Sequence, residues 1–265
     1  MEETIVAEIK SRLQALEKRE RIGIPLAIES GSRAWGFPSP NSDYDCRFIF
    51  VRETARTYTL FPERDVLEEP VTEVFDINGW ELSKALKLLH AGNAVAVEWL
   101  MSPFAYQVNP EFRTAALDLA AAVCSRDLIG KHYFHLMRAQ IERLNRFEGE
   151  VSLKKTLYVL RPLAALKWLE NHSDIAVPPM NFQELRRGIS IPENVSDRID
   201  SLLELKSQSA ELGSAHIDPA ISDFVLQSFD ELQKFAKAAP PDKRHHDQID
   251  KFWRDWSARL APEKR

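Results

Sequence analysis

Residues 31–45, GSRAWGFPSPNSDYD, form a polar loop opened by Gly-Ser and closed by two acids one residue apart. In the segment that follows, DYDCRFIFV, Tyr44, Cys46, Phe48 and Phe50 alternate with Asp43, Asp45 and Arg47, the two-residue period of a strand with one face packed. Asp43 and Asp45 therefore project from one face, about 6–7 Å apart. Two carboxylates so placed repel unless a positive charge lies between or beside them. A divalent cation meets that need, because carboxylate oxygens are hard ligands suited to Mg²⁺ or Mn²⁺, and Mg²⁺ usually takes one or two protein carboxylates together with substrate phosphates. Gly31 lets backbone approach a ligand closely, and Ser32 offers a hydroxyl and an N–H to a phosphate oxygen. Such a strand, Gly-Ser turn, loop and Asp-x-Asp strand can hold a metal-bound triphosphate. The competing reading is plain turn chemistry, since Ser39-Pro40-Asn41-Ser42-Asp43 is a good turn sequence in its own right.

The surrounding chain decides what frame carries this loop. Ile5, Ile9, Leu13 and Leu16 recur at helical spacing, so a first amphipathic helix ends before Gly23. IPLAIES then reads as a buried strand running into Gly31, and VTEVFDI (71–77) as a third strand with weaker alternation. GWELSKALKLLHAGNAVAVEWL (79–100) reads as one or two helices, and from about Phe112 the pattern is almost wholly helical. The expected fold is α+β: a small mixed-sheet domain over residues 1–115 followed by a mostly helical domain over 116–265. With 265 residues, six Trp and fourteen Phe, the chain can fill a substantial core. The charged N-terminal segment lacks the apolar run of a signal peptide, and no stretch approaches a membrane span, so the expected location is cytoplasmic. Cys46 and Cys124 are too few for a disulfide framework and read as reduced core residues.

The net charge of −5 argues against a coat of nucleic acid, but ten Lys or Arg stand against six Asp or Glu from Lys131 to Arg187. That basic middle suits a polyanionic substrate, or is a set of ordinary solvated helix faces. Arg33, next to the Gly-Ser pair, is the first candidate for a triphosphate contact. Ser42 either binds a phosphate oxygen or caps the loop. Arg47 shares the face of the acids and can pair with them structurally. Lys155, Tyr158 and Arg161, at i, i+3 and i+6, share one broad helix face. That stripe either meets phosphate and base or snorkels around core aromatics such as Trp168. His132 and His135 share a helix face, but no nearby acid or cysteine completes a zinc motif.

The string GSRAWGFPSPNSDYDCRFIFV resembles the signature of the DNA polymerase β-like nucleotidyltransferases, and within them the YcgL-type, RNA-repair-associated branch. The resemblance continues in FDINGWELSKALKLLHAGNAVAVEWL and more weakly in KKTLYVLRPLAALKWL and PPMNFQELRRG, covering about residues 24–190. It implies a nucleotidyltransferase with two divalent ions, Mg²⁺ or Mn²⁺, held by Asp43, Asp45 and a third carboxylate. That third acid is Asp76 in VFDI, flanked by apolar residues as in the family, with Glu73 as rival; a general-base role suits it. The nucleotide-binding set is Gly31, Ser32, Arg33, Ser42, Lys155, Tyr158 and Arg161, the substrate an NTP with ATP foremost, and the acceptor RNA, tRNA included. Nucleotidylation of a protein or small molecule, and a silent nucleotide- or RNA-binding module, are the alternatives. Asn93 and Glu98 belong to the resemblance, and a helix cap and a buried salt bridge account for them.

Overall fold

A computed structural model describes residues 1–57, 59–210 and 212–262. The opening helix α1 (Glu3–Glu20) ends at Arg21 in the left-handed conformation, and buries Ile9, Leu13 and Leu16. Next come β1 (Ile22–Glu29), the single-turn α2 (Gly31–Trp35), β2 (Tyr44–Arg52), the short α3 (Thr54–Thr57), β3 (Val66–Glu68) and β4 (Phe75–Glu81). α4 (Leu82–His90) and α5 (Ala94–Met101) lead to β5 (Ala105–Val108) and α6 (Pro110–Val123). Then follow α7 (Arg126–Arg143), β6 (Glu150–Ser152), α8 (Leu153–Asn171), α9 (Phe182–Arg187), α10 (Glu193–Gln208), β7 (Ser214–His216), α11 (Pro219–Glu231) and α12 (His246–Leu260), with short 3-10 turns at Asn145–Phe147, Leu232–Ala236 and Lys243–His245. Their order confirms the α+β class.

The five-stranded sheet runs β3-β4-β2-β1-β5. β2 is antiparallel to β1 and parallel to β4, so the sheet is mixed. One face packs on α1 through Tyr44, Cys46, Phe48 and Phe50; the other joins an apolar cluster that continues through α4–α8 to Trp256 of α12. The expected boundary between residues 115 and 116 falls inside α6.

Two strand readings change. The segment read as helical from Gly79 stays extended to Glu81, because β4 keeps pairing with β2 as far as Phe50 opposite Glu81. A Cβ at Gly79 would lie 2.3 Å from the Phe48 ring, so this glycine serves a close approach and not a helix start. β5, β6 and β7 lie in stretches without strand periodicity; at three or four residues each, they are fixed by partners distant in sequence.

A buried ion pair ties α5 to α8. Arg161 and Glu98 are each 3% exposed and pair directly, Tyr133 Oη donates to Glu98 at 2.7 Å, and Arg161 also donates to the Met180 carbonyl at 3.1 Å. Arg161→Met therefore strands a buried carboxylate, and a loss of about 3–5 kcal/mol is expected in chemical denaturation. An unchanged midpoint would show that the pair is not structural.

Candidate active site

The site begins where β1 ends. Gly31 takes φ +59°, and a Cβ there would lie 1.9 Å from Asp45 Oδ2, so only glycine can occupy this turn against the β2 carboxylate. Ser30 N–H donates to the Asp45 carbonyl at 2.8 Å, locking the turn to β2. The loop that follows is held by its own side chains. Ser32 Oγ donates to Ser42 Oγ at 3.1 Å, and Ser42 Oγ accepts the Ser39 N–H at 2.9 Å. Arg33 donates to the carbonyls of Ser42 at 2.6 Å and Asp43 at 3.1 Å, and its guanidinium lies 3.8 Å from the centre of the Tyr44 ring. Arg33 and Ser42 thus shape the loop that presents Asp43.

The parallel register places Asp45 opposite Asp76. Arg47 bridges them, donating to Asp45 Oδ1 at 2.7 Å, to Asp76 Oδ2 at 2.6 Å and to the Asp76 carbonyl at 2.7 Å. Burial raises the Asp45 carboxyl to about 6; Arg47 opposes that shift, while Asp43 and Asp76 add to it. Beneath Asp45 lies a carboxylate that the strand reading passed over. Glu29 is fully buried, accepts the Asp45 N–H at 3.1 Å and the Tyr106 hydroxyl, and is pushed up by burial to about 7. Its signal was present: the only acid in the otherwise apolar strand IPLAIES.

The donor chemistry suits a hard divalent cation, since Asp43, Asp45 and Asp76 outnumber the one arginine between them. Among the described residues no group of three or more His, Cys, Asp or Glu converges as a ready ligand cage, and Arg47 stands between two of the three candidates. Glu73 is not in this cluster; it lines an adjoining cleft of about 570 Å³ with Ser39, Ser42 and Asp43.

The helical candidates separate. Tyr158 is half-buried, sets its ring edge-on to Trp35 at 5.5 Å, and has its hydroxyl pKa raised by burial first and then by Asp45 and Asp43. Arg161 is committed to Glu98 in the core. Lys155 is exposed, whereas its neighbour Lys154 lines the cleft together with Lys206 of α10. Lys206 was hidden in sequence by occupying an apolar-face position, in step with Val195, Ile199 and Leu202. Asn93 caps α5, accepting from the N–H groups of Val95 and Ala96. His132 Nδ1 accepts the Ala94 N–H at 2.9 Å.

The raised Asp45 pKa fixes a sign. Its folded value, about 6, lies above the ordinary 3.8, so the folded state holds the extra proton between those values and stability falls as pH rises through that window. Asp45→Asn mimics the protonated form. In metal-free buffer it should stabilise the fold by about 1–3 kcal/mol at pH 8, with the gain vanishing near pH 4. Denaturation of both proteins across that range checks it, and a variant less stable than the parent at pH 8 contradicts it.

The chain is 36% identical over 253 residues, 92% of its own length and 91% of the relative's, to a Bacillus subtilis (strain 168) protein called uncharacterized protein YcgL. Residues 5–255 match the model of the family described as RNA repair pathway DNA polymerase beta family. A match of that span extends through the sheet, the carboxylate loop and nearly all of the helical part, and the chain belongs to that RNA repair pathway DNA polymerase beta family.

Proposed function

We propose that this protein is a metal-dependent nucleotidyltransferase, moving a nucleoside monophosphate from an NTP, ATP foremost, to an acceptor hydroxyl with release of pyrophosphate. The observation that carries the reading is the Asp45–Asp76 register with Gly31 closed over Asp45, set beside a polar cleft in a chain of this family. Asp43, Asp45 and Asp76 are the residues to hold Mg²⁺ or Mn²⁺, two ions in all; when bound, the metal offsets charge on the phosphates and lowers the pKa of the attacking hydroxyl. Ser32 and Ser42 present hydroxyls at the loop, Arg33 keeps that loop in place, and Tyr158 with Trp35 forms an aromatic wall beside the acids. Asp76 is the third carboxylate in this proposal because it shares Arg47 with Asp45, which Glu73 does not.

RNA is the proposed acceptor, supported by the family's description and by the basic middle of the chain. The basic segment itself is partly spent on ion pairs: Arg186 binds Asp200 and Lys167 binds Glu231. Arg187 remains exposed. One observation favours a second reading, a nucleotide- or RNA-binding module without transfer: Arg47 already satisfies two of the three acids. No helix among the described residues is long and apolar enough to cross a membrane, and the reaction is proposed for the cytoplasm.

Transfer of labelled NTP in Mg²⁺ or Mn²⁺, against total RNA and total protein, separates these readings. Asp43→Asn and Asp45→Asn should each lower turnover by about 10²-fold or more. Near-native turnover of either at saturating metal would exclude the metal role. Asp76→Ala should keep NTP binding and lose transfer while Glu73→Ala changes neither; the opposite result moves the third carboxylate to Glu73.

A further inference from the structure

Lys206 is 1% exposed, yet its ammonium finds no hydrogen-bond partner among the described residues. A buried ammonium without a partner is strongly disfavoured, so its retention asks for an anion that arrives from outside. Its surroundings say where. The nitrogen lies 5.2 Å from the centre of the Phe37 ring, a contact that supplies only part of what water would. The side chain lines the 570 Å³ cleft that also holds Ser42 and Asp43 from the carboxylate loop, and Ser152, Lys154 and Ser214 from the helical part.

We infer that Lys206 and Lys154 form a receptor for the polyphosphate group of the substrate, the triphosphate tail of an NTP and the pyrophosphate that leaves it. This inference rests on the nucleotidyl-transfer reading and adds to it the residues that take the phosphate charge. The cleft has two walls of opposite sign. Asp43 stands on the sheet side, and the two lysines on the helical side. A polyphosphate carrying a divalent cation presents both signs within a few ångströms, which an isolated phosphate does not. Ser152 and Ser214, on the paired strands β6 and β7, add hydroxyls of the kind that bind phosphate oxygens. Burial and the neighbouring Lys154 lower the Lys206 pKa to about 8, with Asp43 opposing, in keeping with a cation that lacks its counter-ion. The stripe of Lys155 and Arg161 does not serve this purpose, since Arg161 is held by Glu98 and the cleft takes Lys154 instead.

Inorganic tripolyphosphate is the direct probe, measured by calorimetry on the full chain with and without Mg²⁺, alongside thermal unfolding of the ligand-free protein. Lys206→Met should weaken tripolyphosphate binding at least ten-fold and at the same time raise the ligand-free melting temperature, because it replaces a buried unpaired charge with an apolar side chain of similar length. A residue with a merely structural role would lower that temperature. Lys154→Met, at an exposed position, should weaken binding by about three-fold and reduce its salt dependence. Binding within two-fold of wild type in Lys206→Met overturns the assignment, as does loss of binding to single-stranded RNA with tripolyphosphate affinity intact, which gives the cleft to the acceptor. If Lys206→Met does not fold, unaltered binding by Lys154→Met overturns it equally. Lys206-dependent tripolyphosphate binding in a protein that transfers no nucleotide removes the transfer reading and leaves the receptor standing. A protein that transfers nucleotide yet binds tripolyphosphate independently of Lys206 does the reverse.

Discussion

A parallel strand pair that sets Asp45 directly opposite Asp76 creates a repulsion of about 3 kcal/mol at roughly 5 Å in a medium of effective dielectric near 20. Arg47 answers that repulsion, and burial sharpens it. Arg47, two residues along the same strand face, reaches back to both carboxylates and to the Asp76 carbonyl. The Gly31 turn closes over Asp45 so tightly that no Cβ fits, which shields the carboxyl from water and raises its pKa. Glu29 lies under the same strand with its own burial cost and fixes the Asp45 backbone from below. The acids are thus held where their charge is least welcome, an arrangement a packed core would not adopt for stability.

The helical part is joined to that site by packing and by polar contacts. Trp35 ends the turn that starts at Gly31, and its indole N–H donates to Glu98 at 3.4 Å. Glu98 in turn holds Arg161 and Tyr133, whose helices α8 and α7 pack side by side, while Tyr158 from α8 returns to the Trp35 ring. A displacement of α8 therefore moves the aromatic wall beside the carboxylates. The buried pair sets how the two parts meet, which accounts for an arginine at a position where the sequence alone also allowed a phosphate contact.

What was legible in the sequence followed from local pattern. The alternation from Asp43 to Val51 located β2, the spacing of Ile5 to Leu16 located α1, and Gly31-Ser32 with Asp43 and Asp45 located the loop. The i, i+3, i+6 stripe favoured Lys155 over Lys154, whereas Lys154 lines the cleft: which of two neighbours meets it depends on where α8 begins, and Ser152 fixes that by capping it. β5 escaped notice because its four residues owe their extended form to β1, distant in sequence. Lys206 was harder still. A lysine on the apolar face of α10 reads as an interruption until Phe37 and the carboxylate loop are seen beside it.

The two kinds of charge in the cleft are satisfied to different degrees, and that difference orders what a ligand can do. Asp45 and Asp76 already have Arg47, so a cation binding there must exchange with the guanidinium and regains only the difference between the two interactions. The Asp43 carboxylate makes no hydrogen bond among the described residues, and Lys206 makes none either. A polyphosphate that carries its own divalent cation can meet both without breaking any contact. A cation held near Asp43 would add positive charge beside Asp45 and favour the ionised form of a carboxyl whose pKa burial, with its acidic neighbours, raises to about 6 against the opposing pull of Arg47. In the proposed reaction, binding of the nucleotide is thereby what favours the ionised form of Asp45.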